Sequence, residues 1–223
     1  MKNKRIIAVA MATGMAVSLA ACGGSASTTD TTGTADAATT EAADAATGEG
    51  TGFTVQLGPN PETLDPALNS AIDGANTLIT VFEPLLLIDE NNEVVPGQAD
   101  LPEVSEDGLT WTFTMKDGLK WSDGSDLTAK DFEYSFKRLA CPDTAAPYGE
   151  TVVGMIDGYQ DAIGNPDADG NTTTDPDWDA LNVVASEDGK DLTITLSYPC
   201  SYFDKLAAFV ATSPVQQATV EAN

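Results

Sequence analysis

The chain has 223 residues and a formal net charge of −25, because 35 aspartates and glutamates outnumber 10 lysines and arginines. This balance argues against nucleic acids and anionic membrane surfaces as partners, since phosphate groups are bound by clustered cationic side chains. The sequence contains no histidine, which excludes histidine metal ligands and Ser-His-Asp triads. An acidic composition of this kind suits a protein that works outside the cytoplasm.

Residues 1–21 are typical of a secretory signal peptide. Cationic side chains among the first five residues precede an apolar run at residues 6–19, which is too short to span a membrane. The small residues before Cys22 resemble the end of a bacterial lipoprotein signal, in which the cysteine is acylated and becomes the first residue of the mature chain. We therefore expect an extracytoplasmic protein, lipidated at Cys22 and anchored to the outer face of the bacterial cell membrane. An ordinary cleaved signal with an incidental cysteine is the alternative.

Residues 22–51 are predicted to form a tether that starts with the lipidated cysteine. After Cys22, this segment contains only Gly, Ser, Thr, Ala, Asp and Glu. Such a segment cannot bury enough apolar surface to offset its ordering entropy, so we expect it to be disordered. It would connect the lipid anchor to a folded domain that begins at Phe53.

A strand and a helix are predicted at the start of the folded sequence. Apolar and polar residues alternate over residues 53–57, which predicts the strand. Apolar side chains at helical spacing within residues 71–87 predict a helix that Pro84 ends. The buried face of this helix would consist of Ile72, Ala75, Ile79 and Phe82.

Short strands and turns are predicted next. Residues 85–88 would form a buried strand, followed by the polar turn DENNEV. Apolar residues alternate with threonines over residues 110–115, which predicts a strand with one buried face. That face would consist of Trp111, Phe113 and Met115. A turn at 116–118 and a return strand at 119–121 would complete a β-meander, and a later strand is predicted at 192–197.

Residues 128–139 predict a capped amphipathic helix. Thr128 and Asp131 fit a capping box, and the cations of the last turn suit the helix dipole. The buried stripe would consist of Phe132, Phe136 and Leu139. Asp123 and Asp126 are interpreted as turn and pre-cap residues rather than as a catalytic acid and base, because nothing around them indicates a raised pKa. This block is therefore interpreted as scaffold, and no catalytic residue is expected.

Several stretches of the folded sequence together resemble the extracellular solute-binding proteins of family 5, the oligopeptide- and dipeptide-binding lipoproteins of ABC importers. They are TLDPALNSAIDGANTLITVFEPLL, DGLTWTFTMKDGLKWSDGSDLTAKDFEYSFKRL, CPDTAAPY, DLTITLSYPCSYF and ATSPV. The resemblance runs from about Phe53 to the end of the chain. It implies an α/β fold with an α+β subdomain, in a periplasmic-binding-protein type II-like, three-lobed peptide-binder architecture of which only the N-terminal part is present.

The resemblance also implies a division of the chain. Residues 53–83 would start ligand-binding lobe one, and residues 84–216 would form the extra α+β subdomain of peptide-binding proteins. Residues 217–223 would begin a truncated return to lobe one. Because family members are far longer, we expect an N-terminal fragment that lacks the second ligand-gripping lobe and binds weakly or not at all by itself.

The function implied by the resemblance is capture of extracellular oligopeptides and their delivery to the permease subunits of an ABC transporter. Tyr148 matches a position where the family places a ligand-contacting tyrosine, although simple packing after a proline turn would also account for this residue. Ser70, Ala71 and Ile72 match a segment whose backbone approaches the peptide. No enzyme activity, cofactor or metal is expected, and the protein would be a monomer that meets the membrane only through its lipid.

Cys141 and Cys200 follow a predicted helix and a predicted strand of the same subdomain. An exported protein can keep a disulfide between them, which would stabilise the fold by about 4 kcal/mol in the loop-entropy model. Two buried free thiols are the alternative, because the sequence does not give the Cα separation that decides between them.

Other functions remain open at this point. The same fold could bind a dipeptide, a metal chelate or an oligosaccharide. A secreted hydrolase is disfavoured because the sequence has no G-x-S-x-G elbow, and an adhesive surface protein is disfavoured because it has no internal repeat. Residues 165–177 place acidic side chains at calcium-loop spacing, but Pro176 stands where a bidentate glutamate is needed, so a solvated acidic loop is expected.

Overall fold

The computed structural model describes residues 54–165 and 174–222. The predicted signal peptide, Cys22 and the tether lie outside these residues, as does most of the acidic loop at 165–177. The described helices and strands, in chain order, are α1 Ile72–Leu78, β1 Leu86–Ile88, β2 Val94–Pro96, β3 Glu103–Val104, β4 Thr110–Thr114, α2 Ala129–Ala140, α3 Gly149–Val153, α4 Tyr159–Ile163, β5 Val183–Ala185, β6 Asp191–Thr195, α5 Phe203–Ala207 and α6 Gln217–Glu221. None of these helices is long and apolar enough to cross a membrane.

A four-stranded antiparallel sheet in the order β3-β4-β6-β5 forms the centre of the described fold. Its middle strands, β4 and β6, are in a register that places Trp111 opposite Ile194 and Phe113 opposite Leu192. All four of these side chains are buried, so one face of the sheet is apolar and the threonines of β4 alternate onto the other face. The buried face predicted for residues 110–115 is confirmed.

The return strand predicted at 119–121 is wrong, because β4 pairs with β6 instead. Residues 119–127 close on themselves through main-chain bonds, such as the one from the Trp121 amide to the Ser125 carbonyl at 2.9 Å. These bonds occupy main-chain groups that pairing with β4 would need. The strands predicted at 85–88 and 192–197 form as β1 and β6. β1 pairs with β2 in an antiparallel hairpin and is only partly buried, since Ile88 is 42% exposed.

Helix α2 packs against β5 and β6. The predicted capping box is present at its start: the Asp131 carboxylate accepts from the Thr128 amide at 2.8 Å, and the Thr128 hydroxyl accepts from the Lys130 amide at 3.3 Å. The predicted buried stripe of α2, Phe132, Phe136 and Leu139, belongs to the same apolar cluster as the buried face of the sheet. The helix predicted at 128–139 is therefore confirmed.

No strand forms at residues 54–57, so the strand predicted over residues 53–57 is wrong. Val55, which the alternation assigned to a buried face, is 58% exposed. A strand is stable only when a neighbouring strand takes up its main-chain donors and acceptors. None of the described strands lies beside this segment.

The buried face predicted for the first helix is also wrong. Helix α1 buries Gly74 and Leu78, whereas Ile72 and Ile79 are 82% and 65% exposed. A Cβ added at Gly74 would overlap the Asn69 side chain. The glycine therefore decides which face makes the close contact, and the larger β-branched residues point away from it.

The possible disulfide is absent, because Cys141 and Cys200 are free thiols. Cys200 is buried, and its thiol raises the pKa of the nearby Tyr202 hydroxyl. Cys141 is half-buried and stands at the C-terminal cap of α2. The two sulfur atoms thus have different neighbours.

Candidate functional site

The last turn of α2 carries a partly buried ion pair that reaches the N-terminal part of the described chain. Arg138 Nη1 donates to Asp65 Oδ1 at 2.9 Å, and Nη2 donates to Asp65 Oδ2 at 2.6 Å. The Arg138 side chain is 10% exposed and that of Asp65 is 24% exposed. The hydrogen bonds to Asp65 raise the pKa of the Arg138 guanidinium above its ordinary value. Two parallel bonds of this kind fix orientation as well as distance.

Asp65 also organises the turn that follows it. Its Oδ1 accepts from the Ala67 amide at 3.0 Å, and its carbonyl accepts from the amides of Leu68 and Asn69. The Asn69 side chain is buried, and its Oδ1 accepts from the Ala71 amide at 3.4 Å. The ion pair therefore holds, through one short turn, the point at which α1 begins.

Ser70, Ala71 and Ile72, the predicted ligand-approaching residues, lie directly after this turn and are exposed. Ala71 has extended main chain, with φ −116° and ψ 149°. The amides of Ser70 and Ile72 donate to no group among the described residues. An exposed, extended segment with unused main-chain donors is suited to hydrogen bonding with another extended chain.

Tyr148, the other predicted ligand contact, is half-buried and stands at the N-terminal cap of α3. Its ring packs edge-on against Phe209, with centroids 5.2 Å apart and planes at 89°. The next residue, Gly149, lies so close to α2 that an added Cβ would overlap the Leu139 carbonyl oxygen. Tyr148 thus has a packing role, and its contact with a ligand stays a prediction.

The two predicted ligand-contacting regions are both attached to the last turn of α2, one through Arg138 and the other through Leu139. No hydrogen bond, ion pair or ring contact within the described part of the chain joins Tyr148 directly to residues 70–72. Sequence reasoning treated Arg138 only as a cation suited to the helix dipole. The signal that it has a partner was its place next to Leu139 of the buried stripe, where an unpaired guanidinium would be costly.

Helix α2 and the loop before it also hold a later segment. The Val215 amide donates to Ser135 Oγ at 2.8 Å, and the Ser135 hydroxyl donates to the Asp131 carbonyl at 2.7 Å. The Gln216 side-chain amide donates to the Asp123 carboxylate at 3.0 Å. This bond is the main reason why the pKa of Asp123 is lowered to about 2. The contacts of Asp123 are those of a residue that stabilises a turn.

Two open clefts lie elsewhere on the described surface. One, of about 340 Å³, is lined by Lys130, Glu133, Tyr134, Lys137, Trp178, Asp179 and Gln217. The other, of about 460 Å³, lies beside β3 and includes Trp111 and Leu101. Neither is lined by Tyr148 or by residues 70–72. Within residues 54–165 and 174–222, no group of three ligating side chains could hold a metal ion.

The sequence is similar to that of known proteins. The family model for bacterial extracellular solute-binding proteins, family 5 Middle, matches residues 93–223, which is more than half of the chain. The chain is 37% identical over 165 residues to the periplasmic oligopeptide-binding protein OppA of Salmonella typhimurium, an alignment that covers 74% of this chain and 28% of that protein. It is 38% identical over 162 residues to the periplasmic murein peptide-binding protein MppA of Escherichia coli, with 72% and 28% covered.

The fold is also similar to that of solved structures. The crystal structure of Haemophilus influenzae OppA in complex with the peptide RPPGFSPFR matches with a TM-score of 0.65 at 28% identity, covering 74% of this chain and 31% of that chain. This likeness confirms the predicted fold class, a mixed α/β fold of the peptide-binding type. The chain spans less than a third of the length of the relatives it matches.

Proposed function

We infer the function of this chain from its family, because the chain belongs to the bacterial extracellular solute-binding proteins of family 5. This family consists of solute-binding proteins, which are not enzymes. We propose that the protein captures oligopeptides outside the cytoplasm and delivers them to the permease subunits of an ABC transporter. In this role it binds and releases its ligand without breaking a bond.

The observation that carries this proposal is the likeness to proteins named for peptides. Two of the curated relatives are an oligopeptide-binding and a murein peptide-binding protein, and one of the similar solved structures holds a peptide. The residues of this chain are compatible with that ligand class, because the exposed segment 70–72 has main-chain donors that no described residue uses and both candidate binding regions are attached to the last turn of α2. None of these three proteins is named for a metal chelate or an oligosaccharide.

Main-chain recognition is the proposed basis of binding. The free amides of Ser70 and Ile72, on either side of the extended Ala71, would pair with carbonyls of an extended peptide. Main-chain groups are the same in every peptide, so contacts of this kind admit many sequences. Tyr148 would contact the ligand with the part of its side chain that Phe209 leaves uncovered.

The proposed location is the outer face of the cell membrane. The relatives named above are periplasmic proteins, and the start of the sequence supports export and acylation at Cys22. Growth of expressing cells with an alkyne-tagged fatty acid tests the anchor. We expect the wild-type protein to be labelled and Cys22→Ser to be unlabelled; equal labelling of both would refute acylation at this residue.

Isothermal titration calorimetry tests the ligand class. The protein from its full reading frame, produced without residues 1–21 and with Cys22→Ser, is titrated with a random pool of oligopeptides. We expect saturable binding and a rise in melting temperature with peptide concentration. Tyr148→Ala should weaken binding, whereas Tyr198→Ala, which removes a tyrosine that is 53% exposed elsewhere, should not. The proposal fails if peptides have no effect while an oligosaccharide or a metal chelate stabilises the protein.

A further inference from the structure

We propose that Arg138 is a positioning residue for ligand binding, whose ion pair with Asp65 holds residues 70–72 in place relative to Tyr148. This inference rests on the proposed function, because it concerns the segment assigned to the peptide main chain. Residues 70–72 and Tyr148 share no direct bond within the described structure. Their relative position must therefore be set by a third element, and the last turn of α2 is the element to which both are attached.

The ion pair is suited to fixing geometry and not only to neutralising charge. Both nitrogens of the guanidinium fork meet both carboxylate oxygens of Asp65, at 2.9 and 2.6 Å. A guanidinium that is 10% exposed would be left desolvated if this partner moved away. A lysine at position 138 would supply the same charge but only a single point of contact.

Few bonds separate the ion pair from the ligand segment. The side chain and carbonyl of Asp65 accept three amides of the next turn, and the Asn69 side chain accepts the amide of Ala71. Gly74 allows the Asn69 side chain to lie directly against α1. Each step of this path is a hydrogen bond or a close contact, so a displacement of Asp65 would displace Ser70.

The region around Tyr148 is attached to α2 at Leu139, the residue that follows Arg138. Gly149 lies against the Leu139 carbonyl, and the Tyr148 ring packs on Phe209. Because Arg138 and Leu139 are consecutive, the two candidate binding regions form one preorganised surface only while Arg138 holds its partner. Without the ion pair, ordering residues 70–72 would reduce the affinity for a ligand.

Hydrogen exchange and peptide titration together test this role. In Arg138→Lys we expect the amides of the turn after Asp65 to exchange about tenfold faster, while exchange in β4 and β6 is unchanged. We also expect the oligopeptide pool to bind about tenfold more weakly at a temperature where both proteins are fully folded. Lys137→Gln is the matched control, because Lys137 makes its ion pairs with Glu133 and Asp179. This control should keep the wild-type exchange rates and affinity.

Asp65→Asn removes the charge from the other side of the pair and should cause the same local acceleration. Equal acceleration throughout the domain would overturn the proposal, because it would indicate only a loss of global stability. Local acceleration with wild-type peptide affinity would overturn it as well. If the wild-type protein binds no peptide, the proposed function fails. Local acceleration in both variants would in that case still show that the ion pair positions residues 70–72. Unchanged exchange in both variants would refute the positioning role of Arg138.

Discussion

The buried hydroxyl of Ser135 can be removed by one substitution, and the structure gives the size of the effect. Its oxygen accepts the Val215 amide at 2.8 Å, and Ser135 is 5% exposed. In Ser135→Ala that amide loses its acceptor at a position that is 9% exposed, which costs about 1–3 kcal/mol. Alanine is the better helix former by about 0.5 kcal/mol. The free energy of unfolding should therefore fall by about 0.5–2.5 kcal/mol.

Urea unfolding followed by tryptophan fluorescence measures this loss. Ser201→Ala is the matched control, because Ser201 is exposed and its replacement should change the free energy of unfolding by less than about 0.5 kcal/mol. Hydrogen exchange adds a local measurement, in which the Val215 amide should accelerate more than the amides of β4. A loss no larger than that of the control, or unchanged exchange at Val215, would refute the argument that this hydroxyl holds the segment after the 3₁₀ helix Val210–Thr212.

Three further predictions concern close packing, titration and the thiols. Gly149→Ala places a Cβ against a carbonyl of α2, and urea unfolding should show a loss of about 1–3 kcal/mol; an unchanged midpoint would contradict the close approach. In an NMR titration the pKa of Asp123 should be about 2, and it should rise in Gln216→Leu, which removes the main hydrogen-bond donor. Because this folded pKa lies below the unfolded value, the contribution of Asp123 to stability should be complete above about pH 5 and lost progressively as the pH falls through the folded pKa of about 2. Thiol reagent added to denatured protein should modify Cys141 and Cys200 without prior reduction; a requirement for reductant would reveal a bridge.

Local signals explain which elements of the fold could be predicted. The capping box and the buried stripe of α2 lie within one short window of sequence, and the alternation in β4 shows directly which side chains are buried. The identity of the strand that pairs with β4 cannot be read from such a local pattern. Alternation fixes the buried face but not the strand that supplies the hydrogen bonds, and Thr112 pairs with Thr193, far outside any local window.

The candidate site shows the same limit. The apolar spacing of α1 favoured a buried Ile72, but the close contact of Gly74 decided the orientation, and contact distances are not visible in a hydrophobic pattern. Arg138 could be placed in the last turn of its helix, whereas its partner Asp65 is 73 residues away. The sequence blocks around α2 were enough to identify the family, which the comparisons confirm. The ligand contact of Tyr148 stays a prediction.

The pairing of β4 with β6 also determines when this domain can fold. β4 ends at Thr114, but its central partner is complete only at Thr195, and the buried pair of Asp65 likewise waits for Arg138. Contacts of this span form slowly, because the entropy of closing a long loop must be overcome before the contacts stabilise it. The sheet cannot close before β6 has been synthesised, so the domain remains an open chain until then. An open chain is the state in which a polypeptide can be threaded across a membrane, as the export proposed above requires.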